Sequence, residues 1–291
     1  MSTILKKNCC GGILSAALCS LFSCSITLTE KSVIFDDEGI TPISESFEYY
    51  TRKEFPDYNF TRIEVTHSDD VKTRGVHLFK SLNKVNLIYY GGNLFTIERH
   101  APYLLPKLIE LNVNIFWFDH RGRGASEGNG TVVRMRQDAL EQFDYVLSQA
   151  GNKSIIVHGV SLGSFMAGHI VAKRNVAALI LEASSTNVDD LIESVMPVYL
   201  SPFLSVSVEE TLRISDNSQV VKNSHVPLLI MVGELDSTTP PYLSKMLYEQ
   251  SEAKLKRLII APGALHGNAI SHGDTLRQYQ LFLDEIQLLN D

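Results

Sequence analysis

The sequence predicts an α/β protein, with a mostly parallel central sheet, helices on both faces and an N-terminal antiparallel hairpin. Three observations carry this. Short continuous apolar runs recur at Val85–Tyr90, Val113–Phe118, Ile155–Val157, Ala177–Leu181, Leu228–Val232 and Leu258–Ala261, and runs without alternation suit strands covered on both faces. Segments with apolar residues three or four apart lie between them, which is the helical period. Ahead of them, Phe60–Ser68 and Val71–Lys80 alternate apolar and polar residues across a turn at Asp69-Asp70, a hairpin pattern. Strands alternating with helices define the class.

Composition sets the outer limits. A chain of 291 residues, 44% hydrophobic, can bury a large core without covalent staples. All four cysteines (Cys9, Cys10, Cys19 and Cys24) fall in the first 24 residues, so the remainder has no disulfide framework and no cysteine zinc site. The net charge of −7, with no cluster of basic residues interleaved with aromatics, argues against a nucleic-acid partner.

From the N-terminus, residues 1–23 read as a targeting segment. Lys6 and Lys7 precede an uncharged apolar run, Gly11–Ser23, that is shorter than the roughly 20 residues a spanning helix needs. The run ends in Leu21-Phe22-Ser23-Cys24, which resembles a bacterial lipobox. That resemblance implies cleavage before Cys24, lipidation of its sulfur and a stable membrane anchor. Cys19 is a poorer candidate because Leu18 precedes it. Ser25 follows Cys24 and no aspartate does, which by resemblance to Gram-negative lipoproteins implies the outer membrane of the cell envelope. Residues 24–58 are polar and read as a tether and N-terminal arm. Residues 59–291 read as one domain, without repeats or linkers.

Within that domain the helical segments are Tyr103–Leu111, Met135–Ala150 with Gly151 as its stop, Leu162–Arg174, Pro241–Ser251 and Leu276–Leu289. Pro240-Pro241 suits a helix start. The gap between the runs at Leu181 and Leu228 holds the apolar stretch Val195–Leu204, read as a short packing helix or a small lid and not as a separate cap domain.

The chemistry centres on Gly159-Val160-Ser161-Leu162-Gly163, between an apolar strand and a helix. A serine at such a junction sits on a sharp turn, and flanking glycines allow strand and helix to meet. The Leu162 N–H, at the helix start, is a candidate oxyanion donor. A nucleophilic serine needs a base, and the base an orienting acid, in the order Ser, acid, His. His266 lies in Pro262-Gly263-Ala264-Leu265-His266-Gly267, just past the last apolar run, with His272 as the fallback. His169 lies inside the helix after the serine, and His225 precedes a strand. Asp236 ends the stretch after Leu228–Val232, with Glu234 and Glu182 as competitors. All three candidates then stand at C-terminal strand ends, where α/β sheets build their sites. A second oxyanion donor is expected from Tyr90-Gly91-Gly92-Asn93, as the N–H of Asn93 or of Gly92.

Asp119-His120-Arg121-Gly122-Arg123-Gly124-Ala125-Ser126 matches neither glycine-rich phosphate motif. It reads as architectural, with Asp119 pairing nearby donors. The three stretches Tyr90–Asn93, Asp119–Ser126 and Gly159–Gly163, with Gly233-Glu234-Leu235-Asp236 and Leu265-His266-Gly267 as the fourth, resemble the α/β-hydrolases of the serine-aminopeptidase-like and small esterase-like branch. The sequence departs from that pattern at Gly91, where relatives often have histidine, and at Ser164, where they often have glycine. The resemblance implies a serine hydrolase acting on a small acyl-ester or lipid-like substrate, with no metal or organic cofactor. A peptidase of the same fold, and a non-catalytic envelope lipoprotein of that fold, are the alternatives.

Overall fold

The computed structural model describes residues 24–196 and 204–290. The targeting segment 1–23, and residues 197–203 of the apolar stretch, lie outside the described residues.

In chain order the elements are β1 (Cys24–Leu28), α1 (Glu30–Val33), α2 (Glu45–Glu54), β2 (Asn59–Thr66), β3 (Lys72–Phe79), β4 (Val85–Tyr90), α3 (Ile97–Glu110) and β5 (Asn114–Phe118). Then come α4 (Val132–Ala150), β6 (Ser154–Val160), α5 (Leu162–Val171), β7 (Ala178–Glu182), α6 (Val188–Val195), β8 (Leu204–Val208), α7 (Glu210–Arg213) and α8 (Asn217–Asn223). β9 (Leu228–Gly233), α9 (Pro241–Gln250), β10 (Lys256–Ala261) and α10 (Thr275–Asn290) close the fold.

The main sheet has eight strands in the order β10-β9-β7-β6-β4-β5-β3-β2. β2 and β3 form the antiparallel hairpin, β3 runs antiparallel to β5, and the other neighbours are parallel. Successive side chains of β4 go to opposite faces, as the pleat requires. Leu87 and Tyr89 join the core formed with α3 and α10, around Leu105, Leu108, Tyr279 and Phe282. Ile88 and Tyr90 join the core formed with α4 and α5, around Phe143, Met166 and Ile170. Burial on both faces is why these strands read as unbroken apolar runs.

Two departures from expectation bear on how the site is held. α3 begins at Ile97, ahead of the expected Tyr103, and runs through Pro102 and Pro106. Each proline removes one intrahelical hydrogen bond, but Ile97, Ala101, Leu104, Leu105 and Leu108 bury a continuous face that offsets the loss. The second departure is the segment expected to be a tether and arm. Its first residues, Cys24–Leu28, form a strand paired in parallel with β8, from Cys24↔Leu204 to Leu28↔Val208. Glu209 accepts from the Glu30 N–H at 2.8 Å, and Glu30 in turn accepts from the Val132 N–H at 3.0 Å. The acidic run further on is docked too: Asp36 takes the Gly130 N–H at 2.8 Å and Asp37 the Gly124 N–H at 2.7 Å. Its charges complement backbone donors of the loop after β5.

That loop is architectural, as its residues suggest. Asp119 is buried and accepts from the N–H groups of Ile97 and Ala125 at 2.7 and 2.9 Å. Burial pushes its carboxyl up to about 7, against the opposing pull of those donors. Arg121 is held by both oxygens of Asp138 and by Asp69, and Arg123 by Asp37 and the Phe35 carbonyl. Both cations are committed to internal partners.

Candidate active site

Ser161 caps α5 with φ +52° and ψ −116°, a left-handed turn that a non-glycine residue adopts only under constraint. The neighbouring glycines supply it. A Cβ on Gly159 would lie 2.3 Å from the Gly163 carbonyl oxygen, and one on Gly163 would lie 2.2 Å from the Tyr90 carbonyl oxygen. Strand β6, helix α5 and strand β4 therefore meet backbone to backbone. Gly163→Ala is expected to cost about 2–3 kcal/mol, because the obstacle is main chain and cannot rotate away. Gly39→Ala, with nothing within 4 Å of the added carbon, should leave the urea midpoint near that of the wild type.

Three loops at the C-terminal edge of the sheet bring the candidates together. Ser161 follows β6, Asp236 follows β9 and His266 follows β10. His266 Nε2 lies 2.9 Å from Ser161 Oγ, and His266 Nδ1 lies 2.8 Å from Asp236 Oδ2. The Asp236 side chain is 0% exposed and that of His266 30%, so the acid lies inside and the imidazole reaches outward to the serine.

Asp236 receives more than the imidazole. Its Oδ1 accepts from the N–H groups of Thr238 and Thr239, both at 2.9 Å, and its Oδ2 lies 2.9 Å from the Thr239 hydroxyl. Burial raises the carboxyl's pKa, but the bonds from His266 and Thr239 outweigh it and hold the group below its ordinary range. Thr239 was not a sequence candidate. The signal lay in Asp236-Ser237-Thr238-Thr239, an aspartate followed by residues whose backbone folds back onto it.

Glu234, Glu182, His169 and His225 are occupied elsewhere. Glu234 is exposed and takes the Gly263 N–H at 3.0 Å. His169 faces Arg136, and burial together with that cation pulls its pKa down to about 4. His225 bonds the Glu252 carbonyl at 3.3 Å. Glu182 is buried beneath the site, against His158.

On the opposite wall, Gly92 abuts the serine: a Cβ there would lie 3.5 Å from Ser161 Cβ. The side chain of Asn93 turns away, accepting from the Phe35 N–H at 3.3 Å and donating to the Val33 carbonyl. It fastens this loop to the N-terminal arm. His120, in the stretch read as architectural, is buried and bonds the Gly91 carbonyl at 2.8 Å, supporting the loop from below. Leu162 is the first residue of α5, so its N–H has no intrahelical acceptor. Ser164, where a glycine was the commoner expectation, bonds the Ser161 carbonyl at 2.5 Å and the Ser184 hydroxyl at 2.9 Å.

Among the described residues, His67, Asp138 and Glu141 lie close enough to share a metal ion. Both Asp138 oxygens already accept from Arg121, and His67 Nε2 faces the Thr73 hydroxyl at 2.7 Å. A fixed guanidinium beside the cluster makes it a poor cation site.

Comparison with known proteins agrees with this architecture. Residues 97–211 match the family model described as serine aminopeptidase, S33, a span that includes Ser161 and ends before Asp236 and His266. The chain is 26% identical over 225 residues to protein bem46 of Schizosaccharomyces pombe, covering 75% of this chain and 74% of that protein. It is 29% identical over 180 residues to lysophosphatidylserine lipase ABHD12 of Mus musculus, covering 57% of this chain and 45% of that longer protein. Among solved structures, the Pyrococcus furiosus esterase Pf2001 superposes with a TM-score of 0.66 at 16% identity, over 87% of this chain and 96% of the esterase. The chain has the α/β-hydrolase fold, and the matches support its membership of that superfamily as a hydrolase.

Proposed function

We propose that this protein is a serine hydrolase that cleaves an acyl ester through Ser161, His266 and Asp236. The observation that carries the reading is the unbroken hydrogen-bond path from Ser161 Oγ through both nitrogens of His266 to buried Asp236. Ser161 Oγ attacks the acyl carbonyl and its proton passes to His266 Nε2. The N–H groups of Leu162 and Asn93 receive the oxyanion. The imidazolium returns the proton to the departing alcohol, and water repeats the sequence on the acyl-enzyme.

Exposed apolar residues favour an apolar acyl group. Leu94, Leu235 and Leu265 are each more than half exposed, and each adjoins a site residue in sequence: Asn93, Asp236 and His266. A lipase among the relatives points the same way. We further propose that residues 1–23 are a lipoprotein signal and that Cys24 carries the lipid, holding the enzyme on a membrane of the cell envelope.

The test is a fluorescent fluorophosphonate on residues 24–291, followed by p-nitrophenyl esters of rising chain length. Ser161 should be the labelled residue, and kcat/KM should rise as the acyl chain lengthens. The family description favours one second reading, a peptidase. Faster turnover of an aminoacyl p-nitroanilide than of any ester would replace the ester reading with that one.

A further inference from the structure

We infer that Glu182 is a positioning residue that ties the serine turn to the histidine loop from beneath the site. The inference rests on the catalytic reading of Ser161 and His266. Glu182 ends β7, the strand between β6 and β9, and is 1% exposed. Its backbone carbonyl accepts from the Ser161 N–H at 2.9 Å. Its carboxylate reaches the other way: Oε1 accepts from the Ile270 N–H at 3.3 Å, in the 3-10 turn Ala269–Ser271 just after His266. Oε2 lies 3.2 Å from His158 Nε2 on β6. One residue thus touches the strand that delivers the serine, the turn it sits on, and the segment that carries the base.

The surroundings are unusual for a structural core. His158 is 0% exposed and packs edge-on between the rings of Tyr89 and Tyr279, at 5.0 and 5.7 Å. His158 Nδ1 and the Tyr279 hydroxyl have no hydrogen-bond partner. Orphaned buried polar atoms cost stability. A fold that carries this polar cluster under its sheet edge gives up stability for fixed geometry. The geometry it fixes is the relation between Ser161 and His266, a 2.9 Å contact made across two separate loops. Misplacing reacting groups by about 1 Å costs on the order of 100-fold in rate.

Three variants of the 24–291 protein test this: Glu182→Leu, Glu182→Gln and Glu182→Asp. The readouts are the fluorophosphonate rate constant per folded molecule, kcat and KM on one ester, and hydrogen exchange across residues 265–272. Leu keeps the bulk but accepts no hydrogen bond. It should lower the per-molecule labelling rate and kcat by about 30-fold with KM nearly unchanged, and expose the 265–272 amides to exchange. Gln still offers an oxygen to the Ile270 N–H and should restore most of the rate and the protection. Should the Leu variant not fold, Glu182→Asp serves, because it is one methylene too short to span both partners and should lose rate and protection together. A Leu variant with lower stability but a wild-type rate per folded molecule overturns the inference. So does a lost rate with unchanged exchange. If the wild type itself is not labelled at Ser161, the catalytic reading has failed, while the exchange comparison still decides whether Glu182 holds the loop.

Discussion

Ser161→Ala should lower ester turnover by about 10⁵-fold while leaving the fold intact. The size follows from the chemistry, because without Oγ there is no acyl-enzyme and only general binding and backbone donors remain. The intact fold follows from the contacts. The Ser161 side chain makes one hydrogen bond, to His266 Nε2, on an imidazole that is 30% exposed. Water can serve that nitrogen once the serine is gone. The backbone strain at φ +52° is the same for alanine, and the Ser161 N–H and carbonyl keep their partners in Glu182 and Ser164. His266→Ala should cost about as much, and the double variant little more, because the residues act as one unit. Circular dichroism and urea midpoints beside the rates check both halves. A Ser161→Ala protein that folds and retains more than about 1% of turnover would place the nucleophile elsewhere.

The parts of this site legible from sequence are those where backbone geometry restricts residue choice. Gly159 and Gly163 are glycines because any Cβ would strike main chain, so the pentapeptide announces the turn. His266 and Asp236 announce themselves by following apolar strands in the required order. The residues that support them use side chains whose meaning depends on distant partners. Thr239 is legible in its local turn onto Asp236, but its hydroxyl also reaches the distant Ala183 carbonyl at 3.0 Å, which sequence does not show. Glu182 reads as a competitor acid because sequence cannot show that its carboxylate points under the sheet, to His158. Asn93 was read for its N–H, and nothing in its neighbourhood reveals that its amide reaches residues 33 and 35.

The same limit explains the N-terminal segment. A strand such as Cys24–Leu28 earns its hydrogen bonds from Leu204–Val208, nearly the whole domain away in sequence. Neither strand has the unbroken apolar character that marks the main sheet, because this two-stranded pair at the surface is covered only in part, where Leu28 and Val208 pack against the core. The docking of the acidic run at Asp36-Asp37 is hidden for a related reason: beside Arg123, the donors that hold it are the backbone N–H groups of Gly130 and Gly124, which leave no trace in composition. The arm, the loop at residues 91–93 and the loop after β5 are consequently one mechanical unit, joined through Asn93, Asp36, Asp37 and Arg123.

Asp236→Asn should reduce turnover by about 10³- to 10⁴-fold with a folded protein. The amide can keep the carbonyl side facing the Thr238 and Thr239 N–H groups, which both reach Oδ1. Its NH₂ then replaces Oδ2 and points at His266 Nδ1. An N–H facing Nδ1 forces the imidazole proton onto Nε2, the nitrogen that must accept from Ser161, and it gives the imidazolium no counter-charge. The variant also changes how stability depends on pH. The Asp236 carboxyl is held below the ordinary 3.8 in the folded protein, so the folded state prefers its ionised form. That stabilisation is complete above the ordinary carboxylate range and is lost as pH falls through the lowered value. Asparagine does not titrate there. The stability difference between wild type and variant should therefore be constant near neutral pH and shrink below about pH 4. Urea midpoints across that range measure it. A flat difference down to about pH 3, or turnover within tenfold of the wild type, would assign the orienting role to another acid.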